Sequence, residues 1–586
     1  MLHNADELDL IGTVKADGQT LRVLPIQQVG ELKGQHQPIC LVAYSIPPER
    51  MQRLQFAPET LGSLADMLAE RGIDLFTDLR RRFSDWLDQG EQALWPLLSR
   101  FAIIVEMPII APDGSQQNGS DLRAFITDRP AGKIAVALGI ALPQEHSDEG
   151  SQVGYLKAVR EQPEDTEAIR TIPAQSAEVH YEFDRLLATQ LSSRDNVDAR
   201  EVVMVGAGAI GSHVAECLGR EGRFSWTIMD DDRLLPHNIA RHTGRDADVT
   251  RGKADLVAEL VSEVIHESPP IARSLAANVM DCDDSRDKID QALERAELII
   301  DATASVVAAR YLSDHSSTAR RASVFFNPSG EAAVLIAESA DRSLTLRDLE
   351  AQYFGFVARE DRLAGHLSDG EGTYAYTGAC RAITNLIPES RVMALSGLVA
   401  GGLGTAVDHD EGIIRIWSMS QYGAVDICES QPAQVERFRA GDWTVSVDQG
   451  LIERIQALRH HHLPEETGGV LTGVVDIPAK HIHVVDAAPA PADSARSTTG
   501  FVRGTSGVQE YLGRISEQTL GQVRYIGEWH SHPPHAPTHP SATDLAQIDW
   551  FAALFDMDDL PALMLIAGEH DVRLVFANLE GEVIGQ

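Results

Sequence analysis

The densest group of metal-ligating side chains lies in GEWHSHPPHAPTHPSATD, residues 527–544. His530 and His532 are two apart, so on an extended segment both imidazoles project to one side. Asp544 follows a Pro-rich turn and opens a predicted helix. Two imidazoles and one carboxylate make three protein ligands. They leave a fourth tetrahedral position open, which is the pattern of a catalytic zinc site and not of a structural one. Zinc lowers the pKa of its water to about 7 and polarises a carbonyl. A proton acceptor is still needed. Glu466, in EETGGVLTG, precedes a Thr-Gly-Gly turn into an apolar strand and is the candidate general base. Ser541 is placed to hydrogen-bond a developing oxyanion. His535 and His539 on the same loop read as solvated, and His460, His461 and His462 as an exposed helix end.

These residues resemble the JAB/JAMM metallopeptidase family. Its pattern is a Glu well upstream, then H-x-H-P, then S-x-x-D. Here the pattern falls on Glu466, on His530, Ser531, His532 and Pro533, and on Ser541 to Asp544. The loop between His532 and Ser541 is about one residue longer than is usual in that family. The resemblance covers about the last 140 residues. It implies hydrolysis of isopeptide or peptide bonds next to ubiquitin-like proteins.

A second centre starts at EVVMVGAGAIGSHVAECLGREG. A short apolar strand turns through Gly206, Gly208 and Gly211 into a helix. Glycines there let the backbone approach a phosphate, and the helix N-terminus offers oriented N–H groups. A second strand ends in Asp230, nineteen residues after Gly211, where a carboxylate can accept ribose hydroxyls. That much suits NAD, FAD, S-adenosylmethionine or ATP alike. The continuation, DDDRLLPHNIARH and then RGKAD, resembles the ThiF/MoeB adenylating domain of ubiquitin-activating enzymes and their bacterial relatives. The Pro-His-Asn and Arg-His version looks most like enzymes of bacterial antiphage operons. By that resemblance Asp230 and Asp232 form the D-x-D pair, Asn238 and Arg241 contact the ATP phosphates, and Lys253 holds them during transfer. Attack of a carboxylate on the α-phosphate builds negative charge that Arg241 and Lys253 would offset. The family also has a D-x-T-D block whose second Asp helps bind Mg2+. Here the block reads Asp301-Ala-Thr-Ala304, so Asp301 either takes that role or caps a strand end, and magnesium binding is open. Cys380, in TGACRAITNL, lies where conjugation-type relatives receive the activated C-terminus as a thioester. The zinc-binding C-x-x-C pairs of sulfur-carrier relatives are missing. The alternative for Cys380 is a small buried residue.

Composition bounds these readings. A chain of 586 residues suggests roughly three or four domains. A net charge of −37 argues against nucleic acid or an anionic membrane as the main partner. Five scattered cysteines fit a reducing cytoplasm and no disulfide scaffold. Cys217 and Cys428 read as structural. Cys282 sits among carboxylates that would raise its pKa. The acidic N-terminal stretch lacks the apolar run of a signal peptide, and no run of about eighteen apolar residues predicts a membrane span.

The expected architecture is an α/β multidomain chain. Residues 1–175 form an α+β module, 176–435 a Rossmann-like adenylating domain around a mixed sheet, and 436–586 a JAB α/β metallopeptidase domain. In the first module PICLVAYSI, FAIIVEMPII, LRAFITD and KIAVALGIAL read as strands, and apolar spacing over residues 59–98 predicts two or three helices. Residues 144–166 and 429–443 read as polar connections. A conjugating site in the first module would need Cys40, which sits inside an apolar strand where its reactivity would fall. The resemblances together imply a homodimer that activates a ubiquitin-like carrier and processes or removes it, with a conjugating enzyme and target proteins as further partners. A sulfur-carrier activator with a tail-trimming peptidase, and a peptidase on an inactive adenylating scaffold, are the alternatives.

Overall fold

The strand Arg100–Ile110 is the axis of the first of two units, Met1–Phe183 and Asp184–Gln586. This computed structural model describes residues 10–14, 21–25, 39–50, 57–88, 97–145, 152–160, 162–265, 267, 269–282, 285–368, 373–375, 383–555, 560–577 and 583–585. In the first unit a seven-stranded sheet has the order Leu21–Pro25, Leu10–Val14, Ala174–Tyr181, Gln116–Pro130, Arg100–Ile110, Ile39–Ser45, and Glu49–Arg50 pairs with Arg100–Ile110. Phe101, Ile103 and Val105 join one apolar cluster, and Ala102 and Ile104 join another on the opposite face. A strand buried on both faces has to be apolar throughout, which explains the unbroken run. Helices Leu61–Ala69 and Leu75–Asp88 supply Leu64, Leu68, Leu79 and Phe83 to the first cluster.

Two readings of this unit need correction. KIAVALGIAL is not a strand at its start, because Ala131–Ala137 is a helix. Ala131, Ile134, Ala135 and Leu138 are buried at three- and four-residue spacing, and a short apolar run does not reveal its own period. The polar stretch 144–166 is not simply a connection. Its strand Gln152–Lys157 pairs antiparallel with Ala141–Glu145 and places Tyr155 in the core. The strand Ala174–Tyr181 pairs in the first sheet, so this unit runs to Phe183. Cys40 is 4% exposed, and burial pushes its thiol up to about 12, too high for a transfer nucleophile.

In the second unit an eight-stranded sheet has the order Ala272–Leu275, Ser225–Met229, Glu201–Val205, Leu298–Asp301, Arg320–Phe326, Ala332–Ala337, Ile413–Met419, Val425–Ser430. The first five strands are parallel and the last three antiparallel. Helices Ala209–Arg220, Lys253–Val264 and Glu389–Ala406 share one core with the sheet, and Arg286–Arg295 and Val306–Asp314 share another. Parallel neighbours need crossover connections, and helices on both faces supply them.

A third sheet, also of eight strands, follows: Val435–Ala440, Trp443–Asp448, His481–Ala487, Gly468–Asp476, Val523–Ser531, Ala562–Ala567, Val572–Ala577, Val583–Gly585. The expected connection at 429–443 is therefore mostly strand. Helix Leu346–Arg359 lies between the two sheets. It shares one core with Val334 and Ile336 of the first and with Val474 and Val485 of the second. Charged groups close the seam. Asp476 accepts from Arg347 Nη1 at 2.6 Å and from Arg310 Nη1 at 3.3 Å, and Arg359 Nη1 donates to the Val485 carbonyl at 2.8 Å. No helix among the described residues is long and apolar enough to cross a membrane.

Candidate active sites

The strand Val523–Ser531 runs antiparallel to Gly468–Asp476, with Gly468 opposite His530. Continuing that register sets Glu466 opposite His532. Ser531 fastens the pair: its Oγ accepts the Thr467 N–H at 3.0 Å and its own N–H donates to the Thr467 carbonyl at 2.7 Å. His530 Nε2 lies 3.3 Å from His532 Nε2 and 3.5 Å from Asp544 Oδ1. A tetrahedral zinc with bonds of about 2.0–2.1 Å has ligand-to-ligand edges of about 3.3–3.4 Å. The two edges from His530 are close to that spacing, and all three ligand atoms lie within 4.8 Å of one another. The donor chemistry fits as well. His532 Nδ1 donates to the Pro537 carbonyl at 2.6 Å, which leaves Nε2 with a free lone pair. Burial holds His530 at about 4, so it is neutral at pH 7. Asp544 turns Oδ2 to the Ser541 N–H at 2.7 Å and keeps Oδ1 toward His530.

Glu466 is 9% exposed, and burial pushes its carboxyl above the usual range, with His532 opposing and Asp544 adding to the shift. A carboxyl shifted in that direction is a better proton acceptor than an ordinary glutamate. Ser541 Oγ accepts the Asp544 N–H at 3.2 Å and caps the helix Ala542–Phe555, while its own hydrogen stays available as a donor. His539 and His535 are exposed, and His535 stands 3.3 Å from Glu569. His460, His461 and His462 end the helix Gln449–His462. Sequence reasoning missed Arg459 on that helix. It is 1% exposed, and its Nε donates to the His532 carbonyl at 3.0 Å, bracing the ligand's backbone from below. An arginine one residue before three histidines gives no signal of this.

At the other centre the glycine loop is pinned at Ala207. Its N–H donates to Asp230 Oδ2 at 2.7 Å, and its carbonyl accepts from His242 Nε2 at 2.9 Å. Gly206 holds φ +98°, and a Cβ there would come within 2.8 Å of Ala302 backbone, so only glycine fits. Gly211 would bring a Cβ to 2.1 Å from the Gly206 carbonyl. Gly208, by contrast, faces open space at the N-terminus of the helix Ala209–Arg220, which no side chain caps. Asp230 also accepts the Asp232 N–H at 2.8 Å, and burial raises its pKa. Lys253 Nζ donates to Asp232 Oδ2 at 2.9 Å and is near enough to Asp230 to oppose that rise. Asn238 Oδ1 accepts the Leu235 N–H at 2.9 Å, and half-buried Arg241 feels the carboxylate of Glu389. His242, which follows Arg241 in the Arg-His pair, holds the loop.

Asp301 is 1% exposed. Its Oδ1 accepts the Thr303 hydroxyl at 2.6 Å and N–H at 3.1 Å, and its Oδ2 accepts the Ser323 hydroxyl at 2.8 Å. One oxygen holds the turn that follows the strand, and the other ties it to the neighbouring strand Arg320–Phe326. With Ala304 at the second position the block offers one carboxylate where the family has two, and the part of Asp301 that the structure shows is that of a buried strand-end cap. Cys380 lies outside the described residues.

The comparisons with known proteins agree with this division. The ThiF family matches residues 183–331, and the prokaryotic homologs of the JAB domain match residues 448–576. A CD-NTase/cGAS isopeptidase of Enterobacter hormaechei is 32% identical over 126 residues, 22% of this chain and 68% of that protein. One from Vibrio cholerae is 31% identical over 125 residues, 21% of this chain and 76% of that protein. The ATP-dependent ubiquitin transferase-like protein Cap2 of E. hormaechei is 31% identical over 109 residues, 19% of this chain and only 17% of that protein. Among solved structures, Escherichia coli MccB overlaps 42% of this chain and 66% of its own at 12% identity and a TM-score of 0.28. The chain is an α/β multidomain enzyme that carries a ThiF family domain and, after it, belongs to the prokaryotic homologs of the JAB domain.

Proposed function

We propose that this enzyme acts twice on the C-terminus of a ubiquitin-like carrier. It adenylates that terminus with ATP in the ThiF half, and it hydrolyses a peptide or isopeptide bond beside it in the JAB half. The spacing of His530 Nε2 from His532 Nε2 and Asp544 Oδ1, 3.3 and 3.5 Å, supports the second activity most directly. Those three residues would hold Zn2+, which supplies Lewis-acid polarisation of the scissile carbonyl and an acidified water. Glu466 would take a proton from the attacking water on its carboxylate and return it to the leaving amine nitrogen. The Ser541 hydroxyl donates to the carbonyl oxygen as charge develops. In the ThiF half, Gly208 leaves a path to the helix N-terminus for phosphate, Asp230 keeps lone pairs for ribose hydroxyls, and Lys253, Arg241 and Asn238 would hold the ATP phosphates while the carboxylate takes the adenylyl group and pyrophosphate leaves.

The names of the relatives support an isopeptide substrate in a bacterial antiphage conjugation system, and a cytoplasmic homodimer is part of the same reading. Cys380 would receive the activated carrier as a thioester. The test is ATP–pyrophosphate exchange with the carrier added, together with cleavage of a carrier fusion by protein whose zinc content is measured. Loss of both activities in zinc-replete protein defeats the proposal. One observation favours a second reading. With Ala304 in place of a carboxylate, a silent adenylating half with a working peptidase would give cleavage and no exchange.

A further inference from the structure

A cavity of about 260 Å³ opens in the second unit between the helices Val306–Asp314 and Leu346–Arg359 and the turn before the strand Val523–Ser531. Phe325, Tyr353 and Phe354 of the ThiF half line one side. Leu520 and Gln522 of the JAB half line another. Asp301 and Ala304 also line it, at the carboxyl end of the strand Leu298–Asp301, and Gly206 packs against Ala302 and Thr303 of the same turn. The cavity therefore continues the crevice at the carboxyl ends of the parallel strands, where ligands of such sheets bind.

Most of its polar lining is already satisfied from within. Asp301 is held by Thr303 and Ser323, Glu350 by Arg310 at 2.8 Å, and Thr519 Oγ1 donates to the Ile515 carbonyl at 2.7 Å. Asn327 bonds to Ser329, His366 and Ala332. What remains for a ligand is apolar surface. The volume is below the roughly 300–1,000 Å³ of pockets that enclose whole cofactors or drug-sized ligands. It suits a side chain. Two residues of its lining, Ala304 at φ +55° and Leu520 at φ +51°, hold left-handed backbone without being glycine. Such strain collects at ligand clamps. Leu520 is 53% exposed, an apolar group presented at the rim.

We propose that this cavity seats an apolar side chain of the carrier tail, one to three residues before the carboxylate that is adenylated. Leu520 of the peptidase half then helps decide which tails the adenylating half accepts. The proposal rests on the adenylation reading above. Fluorescein-labelled octapeptides ending in glycine, with Leu, Ala or Asp at the second and third positions from the end, probe it by anisotropy with the full chain. The Leu peptide should bind on the order of tenfold more tightly than the Asp peptide, the scale of burying one aliphatic side chain. Leu520→Asn keeps a residue that tolerates left-handed backbone. It should bring the Leu peptide down to the Ala level and leave zinc-dependent cleavage unchanged. Leu520→Gly repeats the test with no backbone strain. Equal affinity for all three peptides, or a preference that survives both variants, overturns the proposal. Side-chain preference without peptide-dependent pyrophosphate exchange keeps the pocket and removes the adenylation reading. Exchange without preference does the reverse.

Discussion

The histidine that pins the glycine loop makes the second unit sensitive to acid in a way that can be worked out. His242 is 5% exposed, and burial lowers its pKa from 6.5 to about 4. Its Nε2–H donates to the Ala207 carbonyl, and its Nδ1 accepts the Gly244 N–H at 2.9 Å. A proton on Nδ1 would replace that acceptor with a second donor. The unfolded chain binds this proton more readily than the folded one, so stability falls as pH drops. The contribution is complete above pH 6.5, shrinks through the window to pH 4, and is gone below it. Linkage puts the loss at about 2 kcal/mol by pH 5 and about 3 kcal/mol by pH 4. His242→Gln offers a donor and an acceptor that do not titrate there. Urea midpoints of the wild type and of His242→Gln, taken between pH 7.5 and 4.5, give the effect as a difference in which the other titrating groups cancel. The wild type should lose about 2 kcal/mol more than the variant by pH 5. Parallel pH profiles would refute the assignment of a buried neutral histidine.

Three other perturbations test the remaining links. Glu466→Gln should lower peptidase turnover about 10²–10⁴-fold with bound zinc unchanged, measured by cleavage rate and metal analysis. Because burial raises the Glu466 pKa and the base must be ionised, wild-type turnover should fall with decreasing pH at a higher pH than for an ordinary glutamate. Arg459→Met removes the donor beneath the His532 carbonyl and should weaken zinc binding on the order of tenfold in chelator competition, with Glu466 untouched. Asp476→Asn leaves Arg347 and Arg310 without their shared carboxylate, although each keeps another. It should destabilise the second unit by about 2 kcal/mol in urea denaturation.

The two centres were not equally legible in the sequence. The histidines and Asp544 sit within fifteen residues and share one strand and the helix that follows, so residue type and spacing nearly determine where they meet. The extra residue in their loop is absorbed: Thr538 Oγ1 donates to Asp571 Oδ2 at 2.8 Å, and the Pro537 carbonyl accepts from His532. Asp301 was less legible for the opposite reason. What fixes its role is the Ser323 hydroxyl, on a neighbouring strand twenty-two residues away, and register across a sheet is not written locally. Arg459 and His242 were equally obscure, because each acts on a backbone carbonyl that only the fold brings near. KIAVALGIAL failed on period, since a run apolar at every position fits a helix as well as a strand.

The seam between the halves decides how the two activities relate. Polar connections at residues 429–443 would have allowed two tethered domains. Instead the strand Val435–Ala440 starts the third sheet directly, and the helix Leu346–Arg359 is buried by both sheets at once. Asp348 on that helix is 1% exposed and pairs with Arg437 of the third sheet, so a charge deep in one half is neutralised only by the other. A buried carboxylate deprived of its partner costs several kcal/mol. The peptidase sheet is thus part of what keeps the adenylating half folded, and the wall that Leu520 adds beside Asp301 is held in place by the same packing. A tail selected at that wall for adenylation is selected by both halves of the unit.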